Sequence, residues 1–294
     1  MRLTERSVDY LIYLELLKGY ASGEEIARRL GISRTAVWKQ IDKMRRYLSI
    51  SSKPGVGYCI ISERDPNPYA IAKASFENLE VSEVFYYKSV DSTNERARIH
   101  GKSSALFFAE QQTAGRGRMG REWKSETGGL YFSITFPSSA LKEVQRFTII
   151  SGVAVARAVD GKLKWPNDVL LEDKKVCGIL CELSGSFEEP VVIVGIGVNV
   201  RNKYENAASL CDYGICSINE VFARIAREFK NLKLKSWGEI LEEYRKLCTT
   251  LGRKVRIYTP SGILEGIAED VDENGALLVS GKTVLVGDCI HLRS

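Results

Sequence analysis

The sequence of 294 residues has no long apolar run and little histidine. No stretch of about 18 apolar residues occurs, so the sequence offers no transmembrane helix. The N-terminus does not show the succession of basic, apolar and small residues that marks a secretory signal. These absences predict a protein of the cytoplasm that has no membrane partner.

The two histidines and seven cysteines do not form a pattern typical of a metal site. Cys177 with Cys181, and Cys211 with Cys216, are close in sequence, but no second pair has the spacing of metal ligands. We therefore predict no metal held by a cysteine and histidine cluster, and we expect the cysteines to be buried, reduced thiols.

Positive charge is concentrated in the first fifth of the chain. Residues 1–62 carry eleven Lys and Arg against six Asp and Glu, a net charge of +5 that equals the net charge of the whole protein. The remaining residues are neutral overall. Such a distribution indicates a segment that binds a polyanion, joined to a body with another task.

The pattern of residues 8–48 is typical of a helix-turn-helix. Ser22 and Glu25 have the spacing of a capping box, and Gly31 stands where that helix would end. Ser33 then begins a second helix, whose apolar residues recur on one face. That face holds Val37, Ile41, Met44 and Leu48.

The opposite face of the second helix is polar and basic near its N-terminus. It presents Arg34, Thr35, Trp38 and Lys39, which we predict to contact DNA. Residues 49–62 follow as a predicted small hairpin, the wing of a winged helix. The alternative is a three-helix packing module without affinity for DNA.

Residues 115–121 read Gly-Arg-Gly-Arg-Met-Gly-Arg, and the rest of the sequence is organised around them. Glycine allows positive φ and close approach to a ligand, while arginine forks match phosphate and carboxylate oxygens. The run therefore predicts an anion site. It has neither GxGxxG nor GxxxxGKS/T spacing, which disfavours Rossmann and Walker sites. A solvated basic turn and a nucleic-acid contact are the alternatives.

Polar residues in two further stretches are candidates for the same site. Ser92 and Thr93 precede a predicted helix, so hydroxyls and unpaired amides meet at its N-terminus. Pro166 interrupts a strand just before Asn167 and Asp168, which we expect to point into a site. A plain helix cap and an Asx turn are the respective alternatives.

Two strands complete the set of candidate positions. Lys175 opens an apolar strand, so its ammonium is expected at the mouth of a pocket, and a surface lysine is the alternative. The run 195–199, Gly-Ile-Gly-Val-Asn, puts small residues where a ligand or another backbone passes closely.

The predicted elements alternate between strands and helices after a boundary at residues 63–68. Strands are expected at 83–87, 105–109, 129–136, 175–183 and 191–200, and helices at 141–159, 217–231 and 235–248. From residue 252 the chain changes to short strands, one of them expected at 284–292, which form a small barrel. The sequence thus predicts an α+β protein.

These motifs resemble those of the biotin protein ligases. The resemblance rests on Ser92-Thr93-Asn94, Gln112 with the arginine-rich run, KWPNDV at 164–169, KVCGIL at 175–180 and GIGVN at 195–199. With a basic winged helix in front, the chain is similar to the bifunctional type that also represses the biotin operon. The resemblance implies a winged helix-turn-helix at 1–62, a central α/β ligase domain at 69–248 and an SH3-like β-barrel at 252–294.

The activity implied by this resemblance joins the biotin carboxylate to ATP and releases pyrophosphate. Biotin then passes from biotinyl-5′-adenylate to a lysine of the biotin carboxyl carrier protein. ATP and Mg²⁺ are the implied cofactors, operator DNA is an implied partner, and the adenylate-bound form is expected to be a homodimer. A biotin-sensing regulator without ligase turnover is one alternative, and a lipoyl or octanoyl transferase is another.

The resemblance also implies roles for individual residues. The implied catalytic residues are Lys175, Arg118 and Asp168. Biotin is expected to contact Ser92, Thr93, Asn94, Gln112, Gly115, Arg116, Gly117, Arg118 and Lys175. The nucleotide is expected to contact Arg116, Arg118, Arg121, Asn167, Asp168, Lys175 and Asn199.

Overall fold

The computed structural model describes residues 1–138, 143–185 and 189–292. Its first elements are β1 (Arg2–Leu3), α1 (Val8–Leu17), α2 (Gly23–Leu30), α3 (Arg34–Met44), β2 (Leu48–Lys53) and β3 (Gly57–Glu63). Helices α2 and α3 begin after Ser22 and Ser33, whose hydroxyls each accept a backbone hydrogen bond of 3.1 Å. Both helix starts agree with the sequence.

The helix-turn-helix and the hairpin form one module. Val37 and Ile41 are buried among its helices. The hairpin is tied to the residue before α2, because the backbones of Ala21 and Tyr58 exchange hydrogen bonds of 2.9 and 2.8 Å. Glycine is required at Gly57, where a Cβ would lie 2.2 Å from the carbonyl oxygen of Ala21. The predicted winged helix is therefore confirmed.

The central domain is built on a mixed sheet. Its elements are α4 (Pro68–Asn78), β4 (Glu83–Tyr87), α5 (Thr93–His100), β5 (Ala105–Ala109), β6 (Leu130–Pro137), α6 (Glu143–Val159), β7 (Lys162–Lys164), β8 (Asp168–Leu171), β9 (Lys174–Gly185), β10 (Pro190–Val198), α7 (Ile218–Lys233) and α8 (Trp237–Leu247). The strands follow the order β1-β4-β5-β6-β10-β9-β8-β7. Strands β4 and β5 are parallel, and the other neighbours are antiparallel.

Successive side chains of a strand point to opposite faces of the sheet, and each face of this sheet packs against different helices. Leu106 and Phe108 of β5 belong to the main core, which also contains buried residues of α6 and α7. Phe107, between them, packs instead with Ala97 of α5 in a second cluster. Helix α5 therefore lies on the face opposite to α6 and α7.

The linker between the first two domains is held by charged side chains. The guanidinium of Arg64 lies 3.0 Å from Glu110. Asp65 accepts hydrogen bonds from the backbone N–H groups of Ile218 and Asn219, where a carboxylate stabilises the N-terminus of α7. Strand β1 adds a second attachment, because Leu3 is fully buried beside β4.

The C-terminal domain is an antiparallel sheet with the order β14-β13-β12-β11-β15. Its strands are β11 (Lys254–Thr259), β12 (Gly262–Val271), β13 (Leu277–Val279), β14 (Lys282–Val284) and β15 (Asp288–His291). The single strand expected at 284–292 is wrong, because β14 and β15 lie at opposite ends of the sheet and residues 285–287 cross between them. Trp165 joins this domain to the central one, since its buried Nε1 donates to the Gly275 carbonyl at 3.2 Å.

The helix expected at 141–159 is α6, which the structure describes from Glu143, and residues 141 and 142 lie outside the described residues.

The expectation of reduced thiols is wrong for Cys211 and Cys216, which form a disulfide. A turn followed by Gly214 at φ 82° brings their Cα atoms to 4.4 Å, within the range that a disulfide spans.

Within residues 1–138, 143–185 and 189–292, none of the helices is long and apolar enough to cross a bilayer. The same described residues contain no group of three or more His, Cys, Asp or Glu side chains arranged to hold a metal ion.

Candidate active site

A cavity of about 330 Å³ opens where the central sheet meets the C-terminal domain. The N-terminus of α5, the loop 115–121, the turn between β7 and β8, strands β9 and β10, and strand β15 surround it. Of the residues named from the sequence, its lining includes Ser92, Thr93, Asn94, Gln112, Arg116, Gly117, Arg118, Arg121, Asn167, Asp168 and Lys175. Two other residues named from the sequence, Gly115 and Asn199, are not among the described residues that line the cavity.

The arginine-rich loop 115–121 is shaped by backbone contacts. The N–H of Trp123 donates to the carbonyl of Gly115 at 3.0 Å. Glycine is required at this position, because a Cβ would lie 2.3 Å from the carbonyl oxygen of Trp123. The positive φ expected in this loop occurs at Met119, at 54°, and at Gly120, at 73°. The loop therefore reverses its direction, and its three arginines contact different partners.

Arg118 is the least exposed of the three loop arginines that line the cavity. Its Nη1 donates to Asn167 Oδ1 at 3.2 Å, and the Asn167 amide is itself fixed because its Nδ2 donates to the carbonyl of Ile179 at 2.8 Å. Burial lowers the pKa of Arg118, and the carboxylates of Asp288 and Asp168 oppose this shift. Arg118 thus contributes an oriented positive charge.

The other two arginines of the loop are held by carboxylates. Nη2 of Arg116 lies 3.2 Å from Glu182 and 3.5 Å from Glu95, and Nη2 of Arg121 lies 2.6 Å from Asp288. The side chains of Arg116 and Arg121 are 38% and 60% exposed. Ion pairs this exposed contribute little to stability, so another anion can replace or share the carboxylate.

Lys175 and Asp168 form an ion pair inside the cavity. Nζ of Lys175 lies 2.7 Å from Asp168 Oδ1 and 5.2 Å from the centre of the Trp123 ring. The two residues come together because β8 and β9 are antiparallel neighbours, in which Lys175 lies opposite Leu170, two residues from Asp168. A carboxylate and a ring face together orient the ammonium, which carries three N–H donors.

Hydrogen bonds join the polar residues at the other end of the cavity. Gln112 Oε1 accepts from the backbone N–H of Thr93 at 2.8 Å, and Gln112 Nε2 donates to the Ser125 hydroxyl at 2.8 Å. Asn94 Oδ1 accepts from the hydroxyl of Ser133 at 2.6 Å. A small set of fixed hydroxyl and amide groups is typical of a pocket that orients a polar ligand.

Trp123 is a cavity residue that the sequence motifs do not identify. Its indole lies against β9 and β10, where glycines leave room for it. A Cβ at Gly178 would lie 2.9 Å from the ring, and a Cβ at Gly197 would lie 2.4 Å from Nε1. The signal in the sequence is Gly195 and Gly197 on one face of a strand, since alternate residues share a face.

Glu182, Ser133 and Asp288 are further residues at the site that sequence reasoning misses. They come from three strands that are distant in sequence, so no local motif contains them. Asn199 is not among the described residues that line the cavity. Its backbone bonds Val176 and Leu210 at 2.9 and 3.0 Å, and the residue is buried.

The residues predicted to contact DNA form one surface of the N-terminal module. Arg34, Thr35, Trp38 and Lys39 are all exposed on α3, and 56% of Trp38 is accessible. Val37 of the same helix is fully buried, so the helix keeps its apolar face in the core while these four residues meet solvent. This arrangement leaves them accessible to a polyanion.

Three family models match the chain. The Biotin/lipoate A/B protein ligase family matches residues 86–199, an HTH domain matches residues 6–59, and the Biotin protein ligase C terminal domain matches residues 250–292. The three matches follow the order of the three parts of the fold.

Individual proteins resemble the chain over most of its length. It is 30% identical over 309 residues to the bifunctional ligase/repressor BirA of Escherichia coli, with 94% of each chain covered. It is 34% identical over 215 residues to the biotin--acetyl-CoA-carboxylase ligase of Mycobacterium tuberculosis, which covers 64% of this chain and 79% of that protein. A structure of the biotin protein ligase from Aquifex aeolicus in complex with biotin and ATP matches with a TM-score of 0.60 and 32% identity, covering 72% of this chain and 99% of that chain.

Substitution of Gly195 tests the packing of the polar end of the cavity. In Gly195→Ala, the added Cβ would lie 2.1 Å from Asn94 Oδ1 and would displace the amide from Ser133. We expect a loss of about 1–3 kcal/mol in the free energy of unfolding, because a buried hydrogen bond is broken.

Gly238→Ala is the matched control. Gly238 lies in α8. Apart from its chain neighbours and the backbone of its own helix, no heavy atom of the described residues is within 4 Å of the Cβ position, so this change should be neutral or slightly stabilising. Urea unfolding of both variants measures the difference. Equal stability of the two variants would contradict the close approach of β10 to Asn94.

Proposed function

This chain belongs to the biotin protein ligase family, and we propose that it is a biotin ligase that also represses transcription of biotin genes. As a ligase it forms biotinyl-5′-adenylate and pyrophosphate from biotin and ATP, and transfers biotin to a lysine of the biotin carboxyl carrier protein. The observation that carries this proposal is the convergence of Arg118, Lys175 and Asp168 in one cavity.

The first reaction is difficult because two anions must meet. A carboxylate is a poor acyl donor, and it must approach the α-phosphate of a nucleotide that is itself negatively charged. Lys175 uses one N–H on Asp168, at 2.7 Å, which leaves two N–H groups for the carboxylate and phosphate oxygens. Arg118 adds a second cation that Asn167 holds in place. Oriented donors of this kind stabilise the charge that develops in the transition state.

The polar end of the cavity fits the ureido group of biotin. Ser92, Thr93, Asn94 and Gln112 surround this end, and the indole of Trp123 supplies an apolar wall for the ring system. Gly115 and Gly117 let the backbone of the loop 115–121 close over the ligand, and Arg116 stands at the rim. The carboxyl group of biotin then extends toward Lys175 and Arg118.

The nucleotide occupies the side of the cavity near the C-terminal domain. Arg116 and Arg121 bind its phosphates after exchanging or sharing their present carboxylate partners, and Asn199 approaches the adenine from beside the lining. Asp168 and Asn167 would hold a Mg²⁺ ion that accompanies the triphosphate, sharing the side-chain oxygens that now contact Lys175 and Arg118, since Mg²⁺ is commonly held by one or two carboxylates and substrate phosphates. Such an ion would supply positive charge next to the leaving pyrophosphate.

The N-terminal module serves as the DNA-binding part of the repressor. We place the domains at 1–62, 69–248 and 252–294, with Arg34, Thr35, Trp38 and Lys39 on operator DNA. The adenylate-bound protein binds as a homodimer, which gives two recognition helices for two half-sites. ATP and operator DNA are both present in the cytoplasm, where we propose that the protein acts.

Loss of the Lys175 ammonium tests the ligase proposal. We expect Lys175→Ala to slow biotin-dependent exchange of pyrophosphate into ATP by about 100-fold or more, because a donor to the developing charge is removed. The neighbouring exposed residue gives the control, and Lys174→Ala should exchange at nearly the wild-type rate. Equal rates for the two variants would refute the role of Lys175. No exchange by the wild-type protein would favour a biotin-sensing regulator without turnover.

Loss of one recognition-helix cation tests the repressor proposal. Arg34→Ala should weaken binding to promoter DNA of the biotin genes and reduce the slope of log affinity against log salt by about one, because one phosphate contact is lost. Arg227→Ala removes the same charge from an exposed position on α7 and should bind as the wild type does. Fluorescence anisotropy across a salt series measures both. Equal weakening by the two variants would mean that α3 is not the DNA contact.

A further inference from the structure

A continuous chain of hydrogen bonds runs beneath the polar end of the cavity. Oε2 of Glu182 accepts from Asn94 Nδ2 at 2.8 Å, and Asn94 Oδ1 faces the Ser133 hydroxyl at 2.6 Å. Ser133 Oγ lies 2.7 Å from Thr93 Oγ1, which is also 3.1 Å from Gln112 Oε1. One connected network therefore joins Glu182 to Asn94, Ser133, Thr93 and Gln112. It reaches the ligand side of the cavity at Thr93.

Glu182, the first residue of this hydrogen-bond chain, determines which atoms donate protons along it. An ionised carboxylate only accepts, and the carbonyl of Leu180, 3.3 Å from the same Asn94 nitrogen, also only accepts. The amide of Asn94 must therefore turn its NH₂ group toward Glu182 and its oxygen toward Ser133. Ser133 must donate its single proton to that oxygen.

The direction in which the Thr93 hydroxyl donates follows from its two neighbours, Ser133 and Gln112. Ser133 has no proton left for Thr93, so the Thr93 hydroxyl gives its own proton either to Ser133 Oγ or to Gln112 Oε1. Both acceptors belong to the protein. In either case Thr93 offers only lone pairs to the cavity, and it can bind a ligand group only if that group carries an N–H or O–H.

We propose that Glu182 is a positioning residue that sets the direction of this chain and thereby makes Thr93 an acceptor for a ureido N–H of biotin. This inference rests on the proposed function. Glu182 is suited to the task because its charge is held by two guanidiniums, Arg98 at 2.7 Å and Arg116 at 3.2 Å. It acts through Asn94 and Ser133.

Exchange of the carboxylate for an amide tests the proposal. In Glu182→Gln the new side chain no longer compels Asn94 to present its NH₂ group, so the hydrogen-bond chain can reverse. Ser133 then donates its proton to Thr93 Oγ1 and occupies a lone pair that the ligand N–H would use. We expect this change to raise the Kd of biotin about tenfold or more. Isothermal titration with biotin measures this value.

Glu95 provides a matched control for the loss of charge. It pairs with the same two arginines, at 3.0 Å from Arg98 and 3.5 Å from Arg116, but its carboxylate is not among the hydrogen-bond partners of Asn94 in the described residues. Glu95→Gln should therefore change the Kd of biotin less than about threefold, since the chain keeps its direction. An equal rise in both variants would mean that the charge acts on the arginines, which would overturn the proposal.

A swapped pair of side chains distinguishes proton direction from packing. Asn94→Asp alone sets two carboxylates against each other and should also weaken biotin binding. In the double variant E182Q/N94D, the introduced amide donates its NH₂ group to the introduced carboxylate, and Ser133 again donates to an oxygen. Biotin should then bind more tightly than to either single variant. Additive losses would overturn the proposal, whereas failure of the wild-type protein to bind biotin would refute the proposed function itself.

Discussion

The cations of the cavity must be held close together before a carboxylate and a triphosphate can meet there. The ion pair of Lys175 with Asp168, at 2.7 Å, meets this requirement. It anchors one ammonium on the adjacent strands β8 and β9, while Asn167 anchors Arg118 from the turn between β7 and β8. Because protein groups hold both cations in place, less reorganisation is needed as charge develops. The polar end, the loop and the C-terminal strand are arranged around that pair.

The three parts of the chain depend on one another through a few contacts. Trp165, in the turn beside Asp168, docks the C-terminal sheet through its indole. Asp65 fixes the linker of the DNA-binding module on α7, and Arg201 pairs with Asp65 while its Nε donates to the carbonyl of Cys216. The cavity, the linker and the winged helix therefore share a continuous framework.

Local patterns predict most of the fold, and they predict which stretches meet at the cavity. Helix starts at Ser22 and Ser33 follow from side chains that cap within three residues, so the sequence contains the whole interaction. Trp123 packs on glycines of β9 and β10, and Glu182 of β9 contacts Asn94 on α5, so these contacts arise only in the folded protein and no local pattern contains them. The split between β14 and β15 likewise depends on which strands they pair with, and the Cys211–Cys216 disulfide depends on the turn between them.

We propose that this cavity makes a biotin acyl-phosphate and retains it. Native mass spectrometry of the full chain after incubation with biotin, ATP and Mg²⁺ measures whether it does. We expect a protein species heavier by the mass of biotinyl-5′-adenylate, absent when either biotin or ATP is omitted. A spectrum with only the unliganded protein, or with biotin and ATP bound but unreacted, would contradict it.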